Sequence, residues 1–427
     1  MADRYLEVEV RALGSGGDGV ADSPDGRIFI PYAAPGDLLR VRLPQKPSGP
    51  PRADIVERLK DGPDREDPVC PHFTDCGGCA VQHVAGPVYG AWKHSLVGDA
   101  LEHRGIDRAV VTDVIPGGVG RRRRARFHAR STARGAVLGY LAARSHRIVP
   151  ISECPVLAPP IVHFLEPLRT MLTGFLSRGQ EAEVSATLCE SGLDIAIAAG
   201  KSLSLQQREI LIGFADENDL VRLSWQSWLR GKAGPMETVV RRHAPTVAYA
   251  GIAVEIPPDA FIQPTAEGEG ALRATVLEAV SGRGRVADLY SGCGAFSLPA
   301  AATGIHVLAA DSEPDQISSL EGAARKAMLG EYVTAQIRDL NRRPLMAAEL
   351  ADFDAVILDP PRAGAQPQAA SLAESSVPLI VYVSCNPSSF ARDARILIDG
   401  GYRLRSVKPV DQFLYSPHIE LVAVLGR

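Results

Sequence analysis

At 427 residues and 45.5 kDa the chain exceeds one ordinary core and implies roughly two to four domains. Its 45% hydrophobic and 22% charged residues, with mean hydropathy near zero, exclude a disordered or fibrous protein, and a net charge of -4 does not announce a nucleic-acid partner. No apolar run approaches the ~18 residues of a membrane span, and Met1-Ala2-Asp3-Arg4 does not open a secretory leader, so a cytoplasmic protein with no membrane partner is expected.

Residues 5 to 60 alternate apolar and polar side chains in short runs such as Leu6-Glu7-Val8-Glu9-Val10, Arg27-Ile28-Phe29-Ile30 and Leu38-Leu39-Arg40-Val41-Arg42-Leu43. Turn clusters at Gly14 to Gly19 and Pro35-Gly36-Asp37 separate them, and Ala53 to Leu59 reads as another strand after a proline-rich loop, Pro44 to Arg52. This pattern predicts a small β-barrel over residues 1–60.

Seven cysteines, an odd number with no export signal, argue against a disulfide framework. Three lie in Cys70-Pro-His-Phe-Thr-Asp-Cys76-Gly-Gly-Cys79, and Cys154 in Glu153-Cys154-Pro155 is the candidate fourth of a set. Four thiolates, with glycines that let the backbone wrap, suit a [4Fe-4S] cluster, in which a Cys-Pro pair often supplies the last ligand. A zinc ion is the alternative occupant. Cys189 and Cys293 read as small buried residues without a role.

Helical spacing follows from Pro87 to Arg104, carried by Val88, Trp92, Leu96, Val97 and Leu101. Between Ile115 and Ser152 there is no Asp or Glu, whereas Arg121, Arg122, Arg123, Arg124, Arg126, Arg130, Arg134, Arg144 and Arg147 concentrate positive charge in a stranded segment. Such a run is either a face neutralised by acids from elsewhere or a grip on phosphates. The middle of the chain, 61–252, is mixed α+β. Its stretch from Val156 to Met236 carries no recognisable chemistry, and Trp225 and Trp228 are expected in the core.

From about residue 253 apolar strands alternate with glycine turns and helices, which predicts a doubly wound α/β domain over 253–427. Its expected parallel strands are Val286 to Tyr290, Val307 to Ala310, Ala355 to Leu358 and Leu379 to Val383. In such a sheet a ligand sits at the carboxyl ends of the strands, and the residues there are polar. They are the turn Asp288-Leu289-Tyr290-Ser291-Gly292-Cys293-Gly294, Asp311, Asp359-Pro360-Pro361-Arg362 and Ser384-Cys385-Asn386-Pro387. The glycine turn and Asp311 fit a dinucleotide or S-adenosylmethionine, and a missing third glycine weighs against a pyrophosphate. A turn glycine and a helix-capping acid account for the same residues. Cys385, with Asn-Pro behind it to stop a helix, is expected to be exposed, as a nucleophilic thiolate must be. In His418-Ile419-Glu420-Leu421-Val422 the alternation puts Glu420 on the face of His418, where a lone glutamate is ordinarily solvated.

Asp-Leu-Tyr-Ser-Gly-Cys-Gly, Asp-Pro-Pro-Arg, Val-Ser-Cys-Asn-Pro and His-Ile-Glu-Leu-Val, in this order, resemble the RNA (uracil-5-)-methyltransferase family. The cysteine set and the N-terminal barrel, which looks like an OB-like TRAM domain, narrow the resemblance to the iron-sulfur branch acting on 23S ribosomal RNA. The resemblance implies a Rossmann-like methyltransferase domain at 253–427, S-adenosylmethionine and a [4Fe-4S] cluster on Cys70, Cys76, Cys79 and Cys154. It also implies cofactor contacts from Gln263, Tyr290, Gly292, Asp311, Asp339 and Asp359. Carbon 5 of uracil is a poor nucleophile, so a thiolate, by motif Cys385, first adds to carbon 6. A base, by motif Glu420, later removes the carbon 5 proton. The implied partner is RNA, ribosomal first and transfer second, with the uridine flipped out and the arginines on phosphates; a monomer is expected. Three departures stand out: Thr265 for asparagine in Phe261-Ile262-Gln263-Pro264-Thr265, Ala295 for asparagine after the glycine turn, and Leu414 for proline.

Overall fold

The computed structural model describes residues 4–44, 50–229 and 231–427; Met1-Ala2-Asp3 and, within the proline-rich loop, residues 45–49 lie outside them. Among the described residues no helix is long and apolar enough to cross a membrane. The N-terminal strands form two three-stranded sheets, Arg4–Glu9, Leu38–Leu43 and Asp54–Lys60 in one and Ala12–Leu13, Gly19–Ser23 and Gly26–Ile30 in the other. Their alternation points Val8, Ile28, Ile30, Leu39 and Val41 into one shared core.

The middle of the chain builds a seven-stranded sheet in the spatial order Lys232–Arg241, Arg222–Leu229, Gly192–Ala199, Glu181–Cys189, Arg124–Thr132, Gly135–Leu141 and Ile148–Pro150. Helices Pro159–Phe175 and Leu205–Glu217 cover one face, burying Ala125, Phe127 and Ala129 of the arginine-rich strand. Arg126 and Arg130 stay exposed on the other face. Trp225 enters this core, but Trp228 is 45% exposed, contrary to the sequence expectation; it lies near the end of its strand, past a register shift.

The C-terminal sheet runs Val333–Ile337, His306–Asp311, Arg285–Leu289, Ala355–Leu358, Leu379–Ser384, Glu420–Gly426 and Arg403–Val410. The first five strands are mutually parallel, and Glu420–Gly426 runs antiparallel between Leu379–Ser384 and Arg403–Val410, which restores the direction of the five. Ala355–Leu358 and Leu379–Ser384 are buried throughout, as parallel strands covered on both faces must be. The helix Gly86–Glu102 packs here too, with Val97 and Leu101 in the same core as Leu289, Leu358 and Tyr382. Residues after it run along the free edge of the sheet, where Thr112 N donates to Val407 O at 2.9 Å and Ile115 N to Pro409 O at 2.9 Å. A stretch of the middle sequence thereby covers an edge that would otherwise expose unpaired backbone groups.

Candidate active site

The parallel strands end in one crest. Leu289 leads into Tyr290 at φ 65° and Gly292 at φ 54°, and Gly292 N donates to Asp311 Oδ2 at 2.9 Å. A Cβ on Gly292 would lie 3.1 Å from Gln316 Oε1, so glycine answers both the left-handed backbone and the close approach. Asp339 shapes the next loop, accepting from Asn341 N at 3.1 Å and Arg342 N at 3.3 Å. Ser384 pairs with Leu421, so the next antiparallel step sets Cys385 against Glu420. Gln263 Nε2 donates to Asp359 Oδ2 at 3.4 Å, and Gln263 Oε1 accepts from Gln412 Nε2 at 3.0 Å. Cys385, Glu420, Gln263, Tyr290, Gly292, Asp311, Asp339 and Asp359 all line one cavity of about 500 Å³.

Glu420 is only 2% exposed, on an inner strand of the sheet, and not solvated as a lone glutamate ordinarily is. One sequence expectation fails at this crest. Cys385 is half-buried, not open, because Asn386 and Pro387 start a helix instead of preventing one. Asn386 Oδ1 caps it by accepting from Ser388 N at 3.1 Å, and proline suits the first helical position.

Burial dominates the electrostatics. It pushes the Asp359 carboxyl up to about 7, with further repulsion from Asp288 and Asp311. Burial, then Asp359, holds the Glu420 carboxyl well above its usual range. The Cys385 thiol is pushed up to about 11 by burial, then by Glu420 and Asp359, while Arg362 opposes them. Burial in the cavity thus favours protonated, neutral groups, and a cationic ligand would favour the thiolate.

The four clustered cysteines come together on a second cavity of about 290 Å³, which Cys70, Cys76, Cys79 and Cys154 all line together with Arg122 and His418. All four are free thiols. Burial is the first cause that raises Cys70, Cys76 and Cys79, Cys79 to about 12, and Cys154 adds repulsion to each. Among the described residues no group of three His, Cys, Asp or Glu side chains is arranged to hold a single metal ion.

A family model described as tRNA (Uracil-5-)-methyltransferase matches residues 242–427. An uncharacterized RNA methyltransferase of Brucella suis is 40% identical over 422 residues, 99% of this chain and 98% of its own. The 23S rRNA (uracil(1939)-C(5))-methyltransferase RlmD of Shewanella amazonensis is 30% identical over 429 residues, covering 98% and 95%. The chain belongs to the RNA uracil-5-methyltransferase family. It is an S-adenosylmethionine-dependent enzyme of that class. The structure of Pyrococcus abyssi tRNA (uracil-54, C5)-methyltransferase with S-adenosyl-L-homocysteine shares its fold at a TM-score of 0.75 and 22% identity, covering 98% of this chain and 100% of that one.

In this methyltransferase much of the arginine run is neutralised by acids. Arg121 pairs with Glu267, Arg124 and Arg126 with Asp259, Arg130 with Glu181 and Arg147 with Asp75. Arg123 is buried, pairs with Glu269 at 2.6 Å and donates from Nε to Gln263 O at 3.0 Å, so it braces the cavity wall. Arg134 and Arg144 make no ion pair among the described residues. Sequence reasoning missed Arg123 as a brace, Gln412 as the partner of Gln263, and Lys93. A lysine in a helix ordinarily faces water, but Lys93 lies in line with buried Val97 and Leu101, four and eight residues on, and no clear apolar face in the sequence marks that stripe.

Proposed function

We propose that this enzyme methylates carbon 5 of a uridine in 23S ribosomal RNA through a covalent adduct between Cys385 and carbon 6. What carries the reading is the meeting of Cys385, Glu420 and Asp359 on one cavity with a glycine turn and Asp311. The cavity suits S-adenosylmethionine: Gly292 leaves a cradle that a Cβ would crowd, and buried Ser291 Oγ has no hydrogen-bond partner. Tyr290, Gly292, Asp311 and Asp339 would hold that cofactor, with Gln263 and Asp359 between it and the base. Its sulfonium supplies an electrophilic methyl group and a positive charge.

The Cys385 thiol gives its proton to water and the thiolate adds to carbon 6, pushing the electron pair of the 5,6 double bond into an enolate whose carbon 5 is nucleophilic. With carbon 5 methylated, Glu420 takes its remaining proton; the electron pair re-forms the 5,6 double bond and expels the Cys385 thiolate. Glu420 must be ionised for that step, and the adduct neutralises Cys385, which would otherwise repel it. Asp359, bonded to Gln263, orients the uracil edge. Support for ribosomal RNA is the near-complete alignment with the Shewanella enzyme. Arg134 and Arg144 are the members of the arginine run best placed to meet phosphate. The N-terminal β unit, read as TRAM-like, would be a further RNA contact.

For the cysteine cavity we infer a [4Fe-4S] cluster. The support is its donor set, four thiols on one cavity of about 290 Å³. Its place beside His418 gives it a structural or RNA-positioning role, since the methyl transfer needs no electron. A brown anaerobic preparation with about four irons per chain is expected; a colourless zinc protein refutes the cluster. The substrate is tested by nucleoside mass spectrometry for 5-methyluridine in ribosomal and transfer RNA from a deletion strain and its complemented parent. Loss from ribosomal RNA is expected; loss from transfer RNA alone overturns the substrate, and no loss from either overturns both RNA targets.

A further inference from the structure

The loop between strands Arg403–Val410 and Glu420–Gly426 carries His418 and delivers Glu420, yet its conformation is held from the other end of the sequence. Lys93, in the helix Gly86–Glu102, is fully buried. Its Nζ donates to Asp411 Oδ1 at 2.8 Å, Phe413 O at 3.1 Å and His418 O at 2.5 Å. An ammonium has three protons, and all three are spent on this one loop. One turn earlier on the same helix, Tyr89 donates to Asp411 Oδ2 and accepts from Tyr415 N at 3.0 Å. Tyr415 sits at φ 61°, a conformation that costs a non-glycine residue energy and persists only when its surroundings impose it. Its carbonyl accepts from Ala80 N at 2.8 Å and Val81 N at 3.2 Å, directly after Cys79.

Filling such a space with apolar side chains would cost the fold no more than a buried ion pair does. What the lysine does that an apolar side chain cannot is fix three acceptors of one loop at set distances, the last of them two residues before Glu420. We propose that Lys93 is a positioning residue for proton removal from carbon 5, its ammonium setting the loop Asp411 to His418 so that Glu420 stands where that proton must leave. The proposal rests on Glu420 being the base, and it concerns the last chemical step alone.

The test uses the full chain with its native RNA. Lys93→Met alone strands Asp411 without its cation, so it is paired with Lys93→Met/Asp411→Asn, which leaves no buried charge and keeps the Tyr89 bond. In single turnover the double variant is expected to bind S-adenosylmethionine and form the methylated adduct at close to the parent rate. It then releases product about 100-fold more slowly, since a misplacement of about 1 Å costs that much. The adduct accumulates, and deuterium at carbon 5 of the target uridine slows its release, a signature that mere destabilisation does not produce. Parent-like release overturns the proposal, as does equal loss of adduct formation and release. Glu420→Gln is run beside it. If that variant accumulates adduct and the double variant does not, Lys93 loses its role and Glu420 keeps its own. If Glu420→Gln turns over normally without adduct, the base assignment fails and the Lys93 proposal with it.

Discussion

The Cys385 thiol, pushed up to about 11, allows a quantitative test of the cavity's electrostatics. At pH 8 only about one thiol in a thousand is ionised, against about a quarter for an ordinary cysteine near 8.5. A more basic thiolate is the better nucleophile, with a Brønsted coefficient of about 0.4–0.5, which recovers roughly tenfold. The net expectation is a reaction about 20-fold slower than that of free cysteine at pH 8, before any steric shielding. The assay is modification by a small disulfide reagent, followed on the Cys385 peptide by mass spectrometry so that the other cysteines do not interfere. The rate should climb tenfold per pH unit with no plateau before about pH 10. Glu420→Gln, which removes a source of repulsion, moves the curve to lower pH; Arg362→Ala, which removes an opposing cation, moves it to higher pH. A cationic analogue of S-adenosylmethionine should also move it down. A plateau below pH 9, or a shift of the Glu420→Gln curve to higher pH, refutes the reasoning.

Asp288 is fully buried, its Oδ1 has no partner, and burial raises its carboxyl from 3.8 to about 7. A raised folded value means the fold holds the proton more tightly, so this stabilisation is complete below about pH 4 and lost as pH rises through 7. Asp288→Asn should remove about 3 kcal/mol of the parent's loss between pH 5 and pH 8, read from urea midpoints at the two pH values; an unchanged slope refutes the assignment. In the central sheet Arg222 and Asp194 face each other on neighbouring strands, each 4% exposed, with bonds of 2.9 and 2.6 Å. Arg222→Met should cost about 3–5 kcal/mol by stranding the carboxylate, and Arg222→Met/Asp194→Leu should recover much of it in thermal melts. At Gly77 a Cβ would stand 2.7 Å from Leu141 O and 2.9 Å from Ala143 N, both backbone. Gly77→Ala should therefore push the cysteine loop off the strand and lower the occupancy of the proposed cluster, read as iron per chain by elemental analysis.

The C-terminal sheet was legible because its strands are continuous apolar runs, each followed by a polar residue at the carboxyl end, where such sheets hold their ligands. Val333–Ile337 was not, since Thr334, Gln336 and Ile337 face solvent on an edge strand and dilute the signal. Arg403–Val410 interleaves three basic residues with apolar ones and reads as surface. Sequence reasoning treated Glu420 as a side chain on one strand's face, whereas its burial depends on Leu379–Ser384 and Arg403–Val410 closing on both sides. The arginine run misled for a related reason. The acids that neutralise it lie up to 146 residues away in the chain, at Glu269, so no local window shows them.

The same long-range logic bears on the residues in which this chain departs from its family's motifs. Thr265 stands where asparagine is usual, yet its Oγ1 accepts from Gly268 N at 3.1 Å and caps the helix Ala266–Val280, a task the two side chains share. Its backbone N–H donates to Gln412 Oε1 at 3.3 Å, and Gln412 passes the constraint to Gln263 at 3.0 Å. A Cβ on Gly268 would meet Gln412 Cγ at 2.3 Å, so that glutamine has no room to turn away. The orientation of Gln263, and through it the bond to Asp359, is thus fixed by a helix cap, a glycine and a loop that Lys93 holds. Thr265 preserves the one property the chain of contacts requires of it, an oxygen acceptor beside the first turn. Threonine in place of asparagine changes a letter of the motif and leaves the bond from Gln263 to Asp359 in place.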